Sequence, residues 1–373
     1  MKKYIPSNLK LSHLLFALFG FSILILSGCG GGGSSSSDPY PDSPGPYGPG
    51  AFNPVQSLDQ VIQTLTNDAF AMDAPFAQSA TLLAPYKNEL TAIKNPAAFR
   101  KRLNEILAAV FGVSHVYLQQ PDFGKGRSHA PLPFPSDDPR INHTRLDGPP
   151  TFEHRYEPGL GSIAVLNIPT FMDSYNQTLV ESYVNQAKSD RFLIINLQGN
   201  LGGYVYKQKH LLSQILATGS CIGYEIKKNF FEQYLASGGI RNDYPRLVTH
   251  GISRSCPDFL REISMNPLGQ FPKKIAVLIN EWTASSGEVV AAALSENMGA
   301  FLVGKKTSGA VLTAITKQIS GASFTYPIRD FLTSRHRRIE KNPLRPDVEA
   351  LGFINLKEAS IQEAIKEYKR RNP

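Results

Sequence analysis

A serine at a strand-to-helix boundary is the first candidate for chemistry in this sequence. Residues 283–288 read Thr-Ala-Ser-Ser-Gly-Glu and separate an apolar, strand-like run from a helix-like run of small residues. A serine on such a turn holds its hydroxyl exposed, and the free N–H groups and dipole of the helix favour an oxyanion beside it. Ser285 is therefore a candidate nucleophile. The alternative is a serine-rich helix cap in which Glu288 completes a capping box.

Two adjacent glycines, Gly202 and Gly203, follow a nearly all-apolar predicted strand at 192–197. Because they lack a Cβ, their backbone can approach a reacting carbonyl and turn an N–H group toward it. No Gly-Lys-Ser/Thr triplet follows, which argues against a phosphate-binding loop. An ordinary turn at the end of the strand is the alternative.

Two other polar segments supply candidates for a general base and its support. His115 follows Ser114 just after a predicted helix, and imidazole is the usual base beside a nucleophilic serine. The loop at 338–347, near the C-terminus, carries the carboxylates of Glu340 and Asp347. A lone histidine is more often structural, and each carboxylate could simply be solvated. These residues become candidates for a catalytic site only in combination with Ser285.

Taken in order, these segments resemble the carboxyl-terminal processing, or tail-specific, serine peptidases, a family that includes the tricorn core protease and the retinoid-binding repeats of the eye. The resemblance covers roughly residues 161–350, with the Ser114-His115 pair upstream. It rests on the glycine segment 196–203, the serine turn 283–288, Val-Gly-x-x-Thr-x-Gly at 303–309, and Pro346-Asp347. Asn196 and Gln198 stand where the family has Asp and Arg.

The resemblance also separates two mechanisms. The bacterial tail-specific enzymes use a Ser–Lys dyad whose lysine follows Thr-x-Gly, and Ala310 occupies that position here. The tricorn-like branch instead has a Ser-His pair, the nucleophile, and a Glu six residues before the Pro of Pro-Asp. These positions are filled by Ser114, His115, Ser285 and Glu340. The resemblance thus implies that Ser285 attacks, that His115 is its base, and that Ser114 and Glu340 orient the imidazole.

The same resemblance implies an oxyanion hole formed by the backbone N–H groups of Gly202 or Gly203 and of Ser286. His336 is a less favoured base. Asp347 and Glu349 are rivals of Glu340. No metal or organic cofactor is expected.

The N-terminus predicts export and lipidation. Lys2 and Lys3 form a positive segment ahead of an apolar run of 13 residues at 14–26, which is too short to span a bilayer and typical of a signal peptide. The run ends in Leu-Ser-Gly-Cys, which resembles the lipobox of bacterial lipoproteins and implies lipidation of Cys29. An ordinary signal peptide with a chance cysteine is the alternative. Gly30 after the cysteine indicates, by the rule of that class, the outer membrane, with the chain facing the periplasm.

Length and composition set the wider limits. The chain has 373 residues, of which 42% are hydrophobic and 19% charged, as in globular proteins. The net charge of +8 is spread along the sequence, and the densest basic run, at 335–338, is short. This argues against nucleic-acid binding, which normally needs a clustered basic stripe.

Apolar strands at 162–168, 192–197, 274–279 and 301–303 alternate with helices at 179–187 and 288–298, which predicts an α/β layered domain. The resemblance implies a crotonase-like fold for it, preceded by a small N-terminal helical domain. The predicted organisation is a signal peptide (1–28), a Gly/Ser/Pro-rich tether (29–50), a helical domain (51–115), a connecting loop region (116–160) and the α/β domain (161–373), with an inserted lobe at about 204–270.

Cys221 and Cys256 fall within the predicted lobe. In an oxidising periplasm they could form a disulfide, or they could be two unrelated thiols. A metal site is disfavoured because no His or third Cys lies at ligand spacing. We expect the disulfide to staple the lobe over the cleft, where it would help to set specificity.

The combined features predict a lipid-anchored periplasmic serine endopeptidase that hydrolyses polypeptides. The rival from another class is a non-catalytic ligand- or peptide-binding lipoprotein on the same fold. A third possibility, an acyl-CoA hydratase on a crotonase-like fold, fits poorly with export because acyl-CoA is cytosolic.

Overall fold

The computed structural model describes residues 52–119, 148–254, 256–266, 269–350 and 356–373, all within one compact unit. Its helices are α1 (Pro54–Asn67), α2 (Ser79–Leu83), α3 (Lys87–Ala92), α4 (Pro96–Phe111), α5 (Gln177–Gln186), α6 (Val205–Ser213), α7 (Lys228–Ala236), α8 (Tyr244–Arg254), α9 (Ser286–Met298) and α10 (Leu356–Arg371). Its strands are β1 (Tyr117–Gln119), β2 (Thr151–Glu157), β3 (Gly161–Asn167), β4 (Phe192–Asn196), β5 (Cys221–Lys227), β6 (Phe259–Ile263), β7 (Lys274–Ile279), β8 (Phe301–Gly304), β9 (Leu312–Ile319), β10 (Ala322–Thr333) and β11 (Val348–Glu349).

The first sheet has six strands in the order β11-β8-β7-β4-β3-β2. Neighbouring strands are parallel except for the antiparallel β2–β3 pair at one edge. α5, α6 and α9 share a core with one face of this sheet, and α10 packs on the other. Burial on both faces explains why β3, β4 and β7 are almost wholly apolar. The mixed α/β prediction is confirmed.

The second sheet is organised around the long strand β10. β1 and β5 pair with one edge of β10 and β9 with the other, while β6 extends the sheet beyond β5. The sequence analysis did not predict β5, β6, β9 or β10. α1 and α4 bury Leu58, Leu65 and Phe99 against Phe324 of β10. The N-terminal helices therefore share one core with this sheet and do not close a core of their own.

Local sequence signals set both ends of α4. The side chain of Asn95 accepts a hydrogen bond from the N–H of Ala98, and Pro96 occupies the first helical position. Gly112 ends the helix in the left-handed conformation with φ 58°. This ending turns the chain toward Ser114 and His115.

The segment predicted as an inserted lobe, residues 204–270, contributes to both layers of the fold. α6 packs beside α9 in the core of the first sheet. β5 lies between β10 and β6 in the second sheet. In the structure this segment does not stand apart as a lobe.

The predicted disulfide between Cys221 and Cys256 is wrong, because both are free thiols. Cys221 begins β5 opposite Ile263, whereas Cys256 precedes the end of β6 that lies opposite Ile226. At about 3.3 Å per residue this register places Cys221 about 15 Å from the end of the strand pair next to Cys256. A disulfide requires Cα atoms within about 7 Å of each other.

No helix within the described residues is long and apolar enough to cross a membrane. The signal peptide, the lipidation site Cys29 and the tether lie outside the described residues, as does most of the predicted loop region 116–160.

Candidate active site

Ser285 lies on a sharp turn between β7 and α9. Its backbone angles, φ 50° and ψ −122°, are unusual for a residue other than glycine, and such strain is typical of functional turns. Its N–H donates to the carbonyl of Ala310 at 2.9 Å, and its side chain does not cap α9. The strand-turn-helix prediction is thus confirmed, and the side chain of Ser285 remains available for chemistry.

Glu288 does not complete a capping box. Its carboxylate is fully buried and accepts hydrogen bonds from the Thr307 hydroxyl, from the N–H of Gly309 and from the N–H of Ala310, the last two at 2.8 Å. Burial raises the pKa of Glu288 to about 7. Glu288 therefore holds the loop whose Ala310 carbonyl binds the backbone of Ser285.

The glycine pair lies against the serine turn. A Cβ on Gly202 would be only 2.6 Å from Cβ of Ser285 and 3.0 Å from N of Ser286. The N–H of Gly202 donates to Oδ1 of Asn200 at 2.8 Å and so is already used. The N–H groups of Gly203 and Ser286 donate to nothing in the described part of the chain. Gly203 and Ser286 are therefore the candidate oxyanion donors. Gly202, which has no Cβ, allows the glycine segment to lie close to Ser285.

Asn200 is a component of this site that the sequence analysis missed. Besides binding Gly202, its side chain donates to the carbonyl of Ile168 at 2.8 Å, and its own carbonyl accepts from the N–H of Ala284 at 2.9 Å. It is completely buried. A buried Asn just before Gly-Gly, at the end of a parallel strand, was the available signal.

The structure brings Ser114, His115 and Glu340 together. Oγ of Ser114 lies 2.6 Å from Nδ1 of His115 and donates to Oε2 of Glu340 at 2.9 Å. The N–H of Ser114 donates to Oε1 of Glu340 at 2.7 Å, and the N–H of Val311 donates to Oε2 at 2.8 Å. His115 has φ 61°, a second strained non-glycine residue at the site.

This arrangement sets the tautomer of His115. Burial raises the pKa of Glu340 to about 7 and lowers the pKa of His115 to about 3, so above pH 7 the carboxyl is charged and the imidazole neutral. The Ser114 hydroxyl has one proton and uses it to donate a hydrogen bond to the carboxylate, so it must accept a hydrogen bond from Nδ1–H of His115. Nε2 is then unprotonated, which is the form a general base requires.

Consecutive residues of one loop bind the backbone of Ser285 and the carboxylate of Glu340. Ala310 accepts from the N–H of Ser285, and Val311 donates to Glu340. Nε2 of His115 is buried and has no hydrogen-bond partner among the described residues, so the Ser285–His115 hydrogen bond is not formed in this structure. Such bonds are often long or absent without substrate and form only in the complex.

The rival residues are occupied elsewhere. Asp347 accepts from the N–H of Leu302 at 2.7 Å, and Glu349 is exposed on β11. His336 packs its ring against Tyr224 of β5.

Ala310, at the position of the dyad lysine, is buried in a small apolar cluster with Leu201. Within the described ranges, no three His, Cys, Asp or Glu side chains are grouped as a metal site would require.

A buried ion cluster behind Glu340 was also missed. The Arg338 guanidinium, 3% exposed, binds Asp330 at 2.8 Å and Asp73 at 2.7 Å, and Lys341 binds Asp73 at 2.8 Å. The cluster ties the Glu340 segment to β10 and to the N-terminal region. In the sequence, Arg338 was only the end of a short basic run, and nothing local indicated its burial.

Part of this chain is similar in sequence to known peptidases. The profile of peptidase family S41 matches residues 162–350. The carboxyl-terminal-processing protease of Synechocystis is 37% identical over 76 residues, which are 20% of this chain and 18% of that protein. The chain thus aligns with less than a fifth of the length of this relative.

Two solved structures share the fold. A lipoprotein from Streptococcus agalactiae superposes with a TM-score of 0.54 at 14% identity. The superposition covers 86% of this chain and 97% of the lipoprotein. A protein from Parabacteroides merdae superposes with a TM-score of 0.56 at 15% identity. The superposition covers 84% of this chain and 96% of the Parabacteroides merdae protein. The family profile spans half of the chain, and the sequence-based prediction of a serine-type peptidase is confirmed at the level of the family. This chain belongs to peptidase family S41.

Proposed function

We propose that this protein hydrolyses peptide bonds in polypeptides with Ser285 as nucleophile and His115 as general base. The observation that carries the proposal is the hydrogen-bonded series from Glu340 through Ser114 to Nδ1 of His115. It leaves Nε2 as the basic nitrogen, and Val311, which binds Glu340, directly follows Ala310, which binds the backbone of Ser285.

In the proposed reaction, Oγ of Ser285 attacks the carbonyl carbon of the scissile peptide and Nε2 of His115 takes the hydroxyl proton. The oxyanion accepts hydrogen bonds from the N–H groups of Gly203 and Ser286. Collapse of this intermediate breaks the C–N bond, and the imidazolium gives its proton to the leaving amine. Water, deprotonated by Nε2, then hydrolyses the acyl-enzyme and releases the second fragment.

The other members of the site stabilise this sequence. The charged Glu340 carboxylate, through Ser114, stabilises the imidazolium that forms after proton transfer. Burial alone would make a positive charge on His115 costly, as the direction of its pKa shift indicates. We therefore assign Glu340 the role of the third triad member, exerted through the Ser114 hydroxyl.

The proposal places the protein in the tricorn-like, histidine-dependent branch, on a crotonase-like fold. The apolar burial of Ala310 supports this branch, because a lysine base at that position would have to replace packed apolar surface. The Ser–Lys mechanism would need another lysine, and none is held beside Ser285 by a contact among the described residues.

The proposed location is the outer membrane, with Cys29 lipidated and the enzyme facing the periplasm. The sequence of residues 14–29 supports this part of the proposal. Growth with a clickable palmitate analogue should label the wild type and leave Cys29→Ala unlabelled. Equal labelling of the two would contradict the anchor.

The catalytic proposal is tested by labelling the full chain in detergent with a fluorophosphonate probe. We expect the wild type and Ser295→Ala, a matched serine on α9, to label, and Ser285→Ala and His115→Ala to lose the label. A folded wild type that never labels would contradict the proposal and favour the non-catalytic binding protein.

A further inference from the structure

A nearly buried lysine lies beside the candidate oxyanion hole. Lys207, in the first turn of α6, is only 6% exposed. Its Nζ donates to the carbonyl of Met172 at 2.6 Å and lies 4.9 Å from the ring centre of Tyr204 and 5.7 Å from that of Tyr206. The ammonium is thus held between one carbonyl and two aromatic faces.

The peptide unit before the one that binds this ammonium contacts Gly203. A Cβ on Gly203 would meet the Phe171 carbonyl and lie 2.8 Å from N of Met172, and the N–H of Tyr204 donates to the Phe171 carbonyl at 3.0 Å. Nζ of Lys207 is therefore one peptide unit from the contact with Gly203. Since Gly202 lies against Ser285, Lys207 is connected to the candidate nucleophile through the backbone contact between residues 171–172 and 202–203.

The charge of Lys207 is not neutralised by the described chain. It forms no ion pair with any carboxylate there, although Asp173 exerts a weaker attraction. Burial lowers the pKa of Lys207, as expected when no close counter-ion offsets desolvation. Lys209, two residues further along α6, is by contrast paired with Glu262.

A buried ammonium without a counter-ion is costly, and such groups normally pair with an anion. An ammonium has three N–H donors, and the Met172 carbonyl uses one of them. Two donors remain for an anionic group that binds near Gly203. The anion that a polypeptide offers is a carboxylate, either at its C-terminus or on an Asp or Glu side chain.

We infer that Lys207, flanked by Tyr204 and Tyr206, is a specificity-determining residue that binds a carboxylate of the polypeptide next to the scissile bond. This inference rests on the proposed function, since it names a substrate feature read at the same site. In this role Lys207 selects peptides that carry a negative charge near the bond to be cleaved over otherwise identical neutral peptides.

The test is protection of Ser285 from the fluorophosphonate probe by peptides, which reads binding without requiring turnover. The peptides are acetylated hexa-alanines with a free or an amidated C-terminus. A second set is amidated and carries Glu, or Gln in its matched partner, at each position in turn. Comparison of the two sets distinguishes a terminal carboxylate from a side-chain carboxylate.

For the wild type we expect at least one acidic peptide to protect about tenfold more strongly than its neutral partner. Lys207→Met should bring this ratio close to one, whereas Lys209→Met should keep it. Lys207→Gln serves the same comparison if the methionine variant does not label. Because each ratio is measured within one variant, a purely structural effect of the substitution cancels.

The failures are distinguishable. If wild type labels but no acidic peptide protects better than its neutral partner, the role of Lys207 is wrong and the proposed function stands. The role is equally wrong if the preference survives in Lys207→Met. If the folded wild type never labels, the proposed function fails and this inference fails with it.

Discussion

The two halves of the candidate site are held in different ways. The serine half, comprising Ser285, Ser286 and the glycine pair, follows the ends of the adjacent parallel strands β4 and β7 and is joined mainly by backbone contacts. The histidine half, comprising Ser114, His115 and Glu340, is joined by side-chain hydrogen bonds between residues 226 positions apart.

This difference predicts how each half fails. Backbone contacts do not titrate, so the serine half should be lost mainly by steric change. The histidine half depends on the ionisation of Glu340 and on a buried ion cluster behind it, so it should respond to charge and pH. The following substitutions address the two halves separately.

Gly202→Ala should have the largest effect on activity, through the serine half. The added Cβ would lie 2.6 Å from Cβ of Ser285, and the residue has φ +98°, which a side chain strongly disfavours. Displacing the serine and an oxyanion donor together should lower the rate of probe labelling about 10⁴-fold. Gly219→Ala is the matched control, since its φ is +83° with nothing within 4 Å, and it should label normally. Normal labelling of Gly202→Ala would refute the tight contact.

Arg338→Met should have the largest effect on stability, through the histidine half. It leaves the completely buried Asp330 carboxylate without its ion partner, which should lower the free energy of unfolding by about 3–5 kcal/mol in urea titrations. Arg335→Met, at an exposed position three residues earlier, should change it by less than about 0.5 kcal/mol. Similar losses in the two variants would mean that the buried cluster does not support this half.

Glu340→Gln should change the pH dependence of labelling. Below pH 7 Glu340 is protonated and can donate to Ser114, which then donates to Nδ1 of His115 and leaves the unreactive tautomer. Wild-type labelling should therefore rise with pH through about 7. Glu340→Gln should label about 10²- to 10³-fold more slowly and lack this rise, whereas Glu349→Gln should behave as wild type. If the labelling rate of Glu340→Gln still rose with pH through about 7, the rise would have to come from the titration of another group.

The contrast between the halves also explains how much could be predicted. The turn around Ser285 was predictable because its signals are local, namely a buried strand, small residues and a helix start. The bonds of Glu340 could be anticipated only through family resemblance, because neither residue 114 nor residue 340 carries a local signal of their contact. The prediction of a disulfide failed because sequence separation does not reveal that β5 and β6 place the two cysteines at opposite ends of a strand pair.

The smallest effect we predict concerns stability and links the two halves. Burial raises the pKa of Glu288 to about 7, and the nearby Glu340 adds to this rise. The folded protein thus keeps a proton that the unfolded chain loses near pH 4.5, so the contribution to stability is complete below about pH 4.5 and lost as pH rises through 7, about 3 kcal/mol in all. Glu288→Gln should flatten the fall in the free energy of unfolding between pH 5 and 7, and the exposed control Glu281→Gln should not. An unchanged slope in Glu288→Gln would show that Glu288 is already charged at pH 5. A flattened slope would mean that ionisation of Glu288 destabilises the fold over the same pH range in which Glu340 becomes charged.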